Sequence, residues 1–247
     1  MNLGFCKMCS ETRSLIKAHV IPRSFFKQLN DGSGALKVAA NKPGTYPRTS
    51  PAGVYDNELV CGRCEELFAP WDGYAQKLLL EPYNDSWYIE LESQRYAYVF
   101  QEVDYRRLKL FFVSLLWRAS TSAEGFYERI RLGPFEDSAK HMILENDPGE
   151  TERFAVILAR FEDPLGRTML GPDRTKLFDI NYCRFYLAGY VAYVKVDQRK
   201  SPDSLQEILL CKGRPFAVIL RDFRTSKELV ALRKLAKIVS TRSNRRG

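Results

Sequence analysis

Two cysteine pairs of identical spacing, Cys6-x-x-Cys9 and Cys61-x-x-Cys64, constrain this chain more than any other feature. If the four thiols converge on one point, the residues around 6–9 must lie against those around 61–64, and everything between must loop out and return. In a reducing compartment such pairs read as a tetrahedral four-cysteine zinc site rather than as disulfides. Zinc favours thiolates, and the two-residue spacer lets both sulfurs of a knuckle reach one ion at about 2.3 Å. The remaining cysteines, Cys183 and Cys211, stand singly in apolar surroundings and read as core residues of strands.

The 247 residues are 45% hydrophobic, enough to bury a core without disulfides. The longest apolar runs, Leu108 to Trp117 and Phe216 to Leu220, fall far short of the roughly 20 residues of a membrane span. "MNLGFCKMCSETR" lacks the apolar stretch of a signal peptide, so the expectation is a cytoplasmic protein with no membrane partner. A formal charge of +8 suits a polyanion, and also ordinary solubility. "LRKLAK" and "TRSNRRG" add a basic C-terminal tail, whose plainer reading is a solvated end.

Residues 1–80 read as one zinc-stapled module, and residues 81–247 as an α+β domain of unknown role. After the first knuckle, Val20 and Ile21 suit an extended piece, and Pro22 opens a helix that buries Phe25, Phe26 and Leu29. "NDGSGALKVAANKPGTYPRTSPAG" reads as a long loop decorated by Lys37, Lys42 and Arg48. Leu67, Phe68, Trp71, Tyr74, Ala75 and Leu78 then recur at helical spacing, predicting a helix over 65–80 that Pro70 kinks or interrupts. That spacing assigns Phe25, Phe26, Leu67, Phe68, Trp71, Tyr74 and Leu78 to the core rather than to base-stacking platforms. Further on, "DYRRLKLFFVSLLWRASTS" and "PFEDSAKHMILEND" predict helices, and a last helix is expected over 225–238. "RFAVILARFE", "CRFYLAGYVAYVKV" and "PFAVILRDF" predict strands of a mostly antiparallel sheet, given their short connections. The fold class is therefore α+β.

The chain has two histidines. His141, in "AKHMILE", reads as an ordinary helical residue, whereas His19, in "KAHVIP", stands ten residues after Cys9 on the strand expected to lead away from the first knuckle. Cys6, Cys9, His19, Val20, Ile21, Pro22, Asn57, Cys61 and Cys64 together resemble the zinc-stapled form of the ββα-metal (HNH) endonuclease module, over roughly residues 5–78. More narrowly, "KAHVIPRSFF", "ELVCGRCEELF", "PWDGYA" and "SLLWRAS" resemble a group of bacterial and phage proteins that carry such a module with an α+β extension. The resemblance implies a metal-dependent nucleic-acid phosphodiesterase, with DNA rather than RNA the expected partner although the sequence does not distinguish the two, with His19 as general base and Asn57 orienting it or supporting its loop. Phosphodiester hydrolysis needs an activated water and a divalent cation beside the phosphate, which adds Mg²⁺ or Mn²⁺ to the structural zinc.

The chain also departs from the family pattern. Where the family usually carries His or Asp before the base histidine, this sequence has Ala18, and the usual His or Asn positions after the last cysteine hold Glu65 and residues such as Ala69. One reading makes Glu65 and Asp72 the replacement ligands, seven residues apart on one helical face and about 10 Å apart along the axis. The other makes Glu65 a carboxylate favouring a helix dipole and Asp72 a solvated charge. Arg23, Lys37, Lys42, Arg48 and Arg63 are the candidate phosphate contacts. Two alternatives to catalysis stand beside it. One is a degenerate module that binds nucleic acid or a partner protein without cleaving; the other is a structural zinc domain serving an interaction surface on the C-terminal half.

Overall fold

The computed structural model describes residues 3–29, 37–38, 48–49, 53–92, 94–163 and 170–230. The first elements are β1 (Leu3–Phe5), β2 (Thr12–Ser14) and β3 (Ala18–His19), followed by the one-turn helix α1 (Arg23–Lys27). β1 and β2 pair antiparallel around the first cysteine knuckle. Within the stretch read as one long loop, β4 (Lys37–Val38) and β5 (Arg48–Thr49) form a short antiparallel ribbon, so part of it is ordered pairing rather than loop. Lys42 and the C-terminal tail lie outside the described residues, as does most of the helix expected over 225–238, of which residues 227–230 are helical.

β6 (Tyr55–Asp56) returns to pair with β3, placing Ala18 opposite Asp56 and His19 opposite Tyr55. Gly53 makes this return possible. Its φ of +84° is a left-handed conformation, and a Cβ there would come within 2.3 Å of the Phe26 ring. The second knuckle opens α2 (Gly62–Glu65), and α3 (Ala69–Leu80) follows. Of the span 65–80 predicted to be helical, residues 69–80 are α3, Glu65 ends α2, and residues 66–68 form turns between them. Pro70 has no N–H to offer the Glu66 carbonyl, which takes Ala69 N–H instead at 3.3 Å, and the tighter turns across residues 66–68 reset the helix axis.

Beyond the module come β7 (Tyr88–Leu91), β8 (Gln94–Phe100), α4 (Tyr105–Thr121), α5 (Glu136–Leu144), β9 (Val156–Phe161), β10 (Asp173–Leu177), β11 (Ile180–Leu187), β12 (Tyr190–Lys195) and β13 (Phe216–Arg221). The sheet order is β10-β11-β12-β9-β13-β8-β7. Every pairing is antiparallel except β13 with β9, giving the α+β class with a mostly antiparallel sheet. β7, β8 and β10 occupy segments for which the sequence predicts no strand.

Alternation along β9 sends Val156 and Leu158 to one face and Ile157 and Ala159 to the other, each into its own apolar cluster. The first face packs beneath α4. From Leu108 to Ser120 every residue of that helix is buried, as expected of a helix surrounded by protein. On its far side Phe111 stacks on Phe25 at 5.9 Å and Trp117 meets Phe68 at 6.4 Å, so the cluster that starts at Cys6, Met8 and Leu15 continues through α4 to the sheet.

Of the side chains expected in the core, Phe25, Phe26, Phe68 and Trp71 are buried, and Tyr74 and Leu78 pack partly buried against the cluster. Leu67 is 37% exposed, because it falls in the turn between α2 and α3 rather than on a continuous helix. Cys183 is a buried strand residue, as expected. Cys211 is half-buried in the connection before β13, not in a strand.

Candidate metal centre and the His19 cluster

The four cysteines of the two pairs gather as the spacing requires, with all four sulfurs within 4.8 Å of one another. Sulfurs around a tetrahedral zinc at about 2.3 Å sit a little under 4 Å apart, so the set fits one ion. Local backbone geometry builds it. Ser10 takes a φ of 60° and its N–H donates to the Cys6 carbonyl at 2.8 Å, closing the first knuckle. Cys64 N–H donates to the Cys61 carbonyl at 3.0 Å, closing the second, and Cys61 N–H points at the Cys6 sulfur at 3.4 Å.

The thiols do not share one environment. Burial raises the Cys6 pKa, but hydrogen bonds from the backbone around Cys9 and Cys61 bring it down to about 7. Burial and the neighbouring thiols push Cys64 up. Four thiolates packed this closely repel each other, so full deprotonation requires a cation among them.

Three expected site residues meet at the junction of the β3–β6 ribbon with α2 and α3. Partly buried, the His19 ring meets Tyr55 at an interplanar angle of 60°, with centroids 6.0 Å apart. Its backbone is held from both sides: the N–H bonds the Glu65 carboxylate, and the carbonyl accepts from an Arg118 terminal nitrogen at 2.9 Å. Arg118 also forks onto Asp72, with N···O distances of 2.8 and 3.0 Å, and its guanidinium lies 4.6 Å from the Phe68 ring centroid.

Glu65 and Asp72 are therefore close enough to interact, although they stand on two helices rather than two turns along one. Burial raises the Glu65 pKa, opposed by Arg118 and reinforced by Asp72. One Glu65 oxygen, Oε2, is buried with no hydrogen-bond partner among the described residues. Asp72 is not a free surface charge: its side chain is 19% exposed and both oxygens are engaged by Arg118.

Asn57 is exposed in the turn after β6. Its buried neighbour Asp56 does the local anchoring, accepting from Ser122 Oγ at 2.7 Å, Ala123 N–H at 2.9 Å and Glu58 N–H at 2.7 Å. Among the basic candidates, Arg23 and Arg63 are exposed at the starts of α1 and α2, and Lys37 and Arg48 stand on the β4–β5 ribbon. Lys17 is also exposed, its Nζ 5.2 Å from the Tyr55 ring centroid.

Arg118 is the residue that sequence reading missed. It is fully buried within the apolar run of α4, where an isolated arginine gives no sign of its partners; the string "SLLWRAS" was the only signal. A cleft of about 540 Å³, lined by Leu67, Pro70, Trp71, Arg106, Ile143 and Leu144 among others, does not include His19, Glu65 or Asp72 in its lining. Within the described residues no helix is long and apolar enough to cross a membrane. Comparison with protein-family models, with curated proteins and with solved structures returned no match to this chain.

Proposed function

We propose that this chain is a metal-dependent nucleic-acid phosphodiesterase of the ββα-metal kind, stapled by zinc at Cys6, Cys9, Cys61 and Cys64. The observation that carries the reading is the His19 cluster. A histidine clamped through both backbone groups stands beside a carboxylate whose Oε2 is buried without a partner. A ring nitrogen of His19 takes the proton from the attacking water, the general-base task for which an imidazole is the commonest side chain. Glu65 is the residue that would hold a Mg²⁺ or Mn²⁺. One carboxylate fits the habit of Mg²⁺, which keeps several waters and takes few protein ligands, and the bound ion supplies neutralisation of phosphate charge. Exposed Arg23 and Arg63, with Lys17, supply phosphate contacts around the ribbon.

The test is nicking of supercoiled DNA, with a single-stranded RNA arm, in Mg²⁺ or Mn²⁺. Wild-type protein cleaves; His19→Ala and Glu65→Gln do not, while both keep their zinc. Absence of cleavage by wild type under every metal condition refutes the proposal.

A second reading is favoured by two specific features. Asp72 is wholly engaged by Arg118, and the buried Ala18 offers no ligand where the family has one. On that reading the module binds nucleic acid or a partner without cleaving. Salt-sensitive DNA binding by a wild type that never nicks would select it.

A further inference from the structure

We infer that Arg118, from outside the N-terminal module, is the positioning residue for His19, so that α4 completes the site. This rests on the reading of His19 as the general base. A guanidinium has five N–H donors in a rigid plane. Here each of the five has an acceptor. Nε donates to the Ser114 carbonyl at 3.3 Å, one terminal nitrogen to His19 O and Asp72 Oδ2 at 2.9 and 3.0 Å, and the other to Asp72 Oδ1 and Ser114 Oγ at 2.8 and 2.9 Å.

The arrangement goes beyond what stabilising a buried charge requires. Asp72 and Ser114 alone would take four of the five donors. The fifth is spent on the carbonyl of the one residue whose ring has work to do. That contact spans 99 positions in sequence and fixes the peptide after His19, while Glu65 fixes the peptide before it. With both neighbouring peptides held, the imidazole has only its own side-chain torsions left to vary. Lysine would supply the charge but not the fork, because its ammonium is a point donor that cannot span two carboxylate oxygens and a carbonyl in one plane.

The experiment compares full-length wild type with Arg118→Lys and Arg118→Gln, reading three quantities. The chain has two histidines, so after His141→Gln, at an exposed helical position, the remaining imidazole resonance is that of His19. We expect both Arg118 variants to keep zinc and a cooperative melt, yet to shift and broaden the His19 imidazole resonance at fixed pH, as for a ring whose flanking peptide is no longer held. Nicking should fall about tenfold or more in kcat with little change in KM, less severely for Lys than for Gln.

A folded Arg118→Gln protein with an unchanged His19 resonance and wild-type nicking overturns the inference. So does a loss that merely tracks loss of zinc or of the melt. If the wild type never nicks, the phosphodiesterase reading fails while the NMR arm still decides the positioning. Should the Arg118 variants not fold, Asp72→Asn, which keeps the guanidinium but weakens its fork, carries the same expectation and the same refutation.

Discussion

Lys109 gives the sharpest test of the buried electrostatics in this fold. It lies on α4 with 0% exposure, its Nζ donating to one carbonyl, that of Thr151 at 3.2 Å. Burial draws its pKa down to about 7, opposed by Cys211 and Glu152 and assisted by Lys195. The unfolded chain titrates near 10.5, so between pH 7 and 10.5 it holds a proton that the native state lacks, and stability rises with pH across that window. At about 1.4 kcal/mol per pH unit, the burial penalty is about 5 kcal/mol below pH 6 and still about 2 kcal/mol near pH 9. Lys109→Met keeps the length and removes the titrating amine, at a cost of about 1 kcal/mol for the lost hydrogen bond. Urea unfolding at pH 6, 7, 8 and 9 should therefore show the variant more stable than wild type by a few kcal/mol at pH 6, with the advantage shrinking by about 3 kcal/mol at pH 9. A variant less stable than wild type at pH 6, or an advantage that does not change with pH, refutes the reasoning.

Other outcomes follow from the same structure. If the four-cysteine cluster holds zinc, a chelator or Cys61→Ser should lower the melting temperature and expose the β1–β2 hairpin to proteolysis, since the cluster joins residues 6–9 to residues 61–64; unchanged proteolysis would sink the staple. Trp71→Ala should cost about 3–5 kcal/mol in denaturant titrations because its side chain is 5% exposed, whereas Leu67→Ala, in the turn, should cost under about 1 kcal/mol. Similar costs for the two would contradict the break at Pro70. On the proposed function, Mn²⁺ should raise the melting temperature of wild type but not of Glu65→Gln, because the buried Oε2 without a partner is the group the ion would satisfy; equal shifts in both would place the ion elsewhere.

The sequence by itself determined what depends on short range. Paired cysteines of this spacing can share an ion whatever surrounds them, so the four-cysteine cluster was legible from spacing alone. Continuous apolar runs with strand-forming residues, as in β9, β11, β12 and β13, declare themselves because both faces of a central strand are buried. β7, at the sheet edge, and β10, at the other, were not legible: they alternate weakly, carry Glu90, Arg174 and Lys176, and become strands only because a neighbour offers an open edge. The break at Pro70 was half visible, as an interruption whose effect on Leu67 could not be read from periodicity.

What only the tertiary structure decided is the company of His19. The residues that hold it come from α2 and α4, with Asp72 on α3 bracing Arg118, which stands 99 positions away. Sequence spacing cannot report such a contact, because a buried guanidinium finds its acceptors through the packing of α4 between the module and the sheet. An arginine in an apolar helix is too costly to leave without partners, so the fold supplies them, and which ones it supplies is settled by how those helices and strands close on one another.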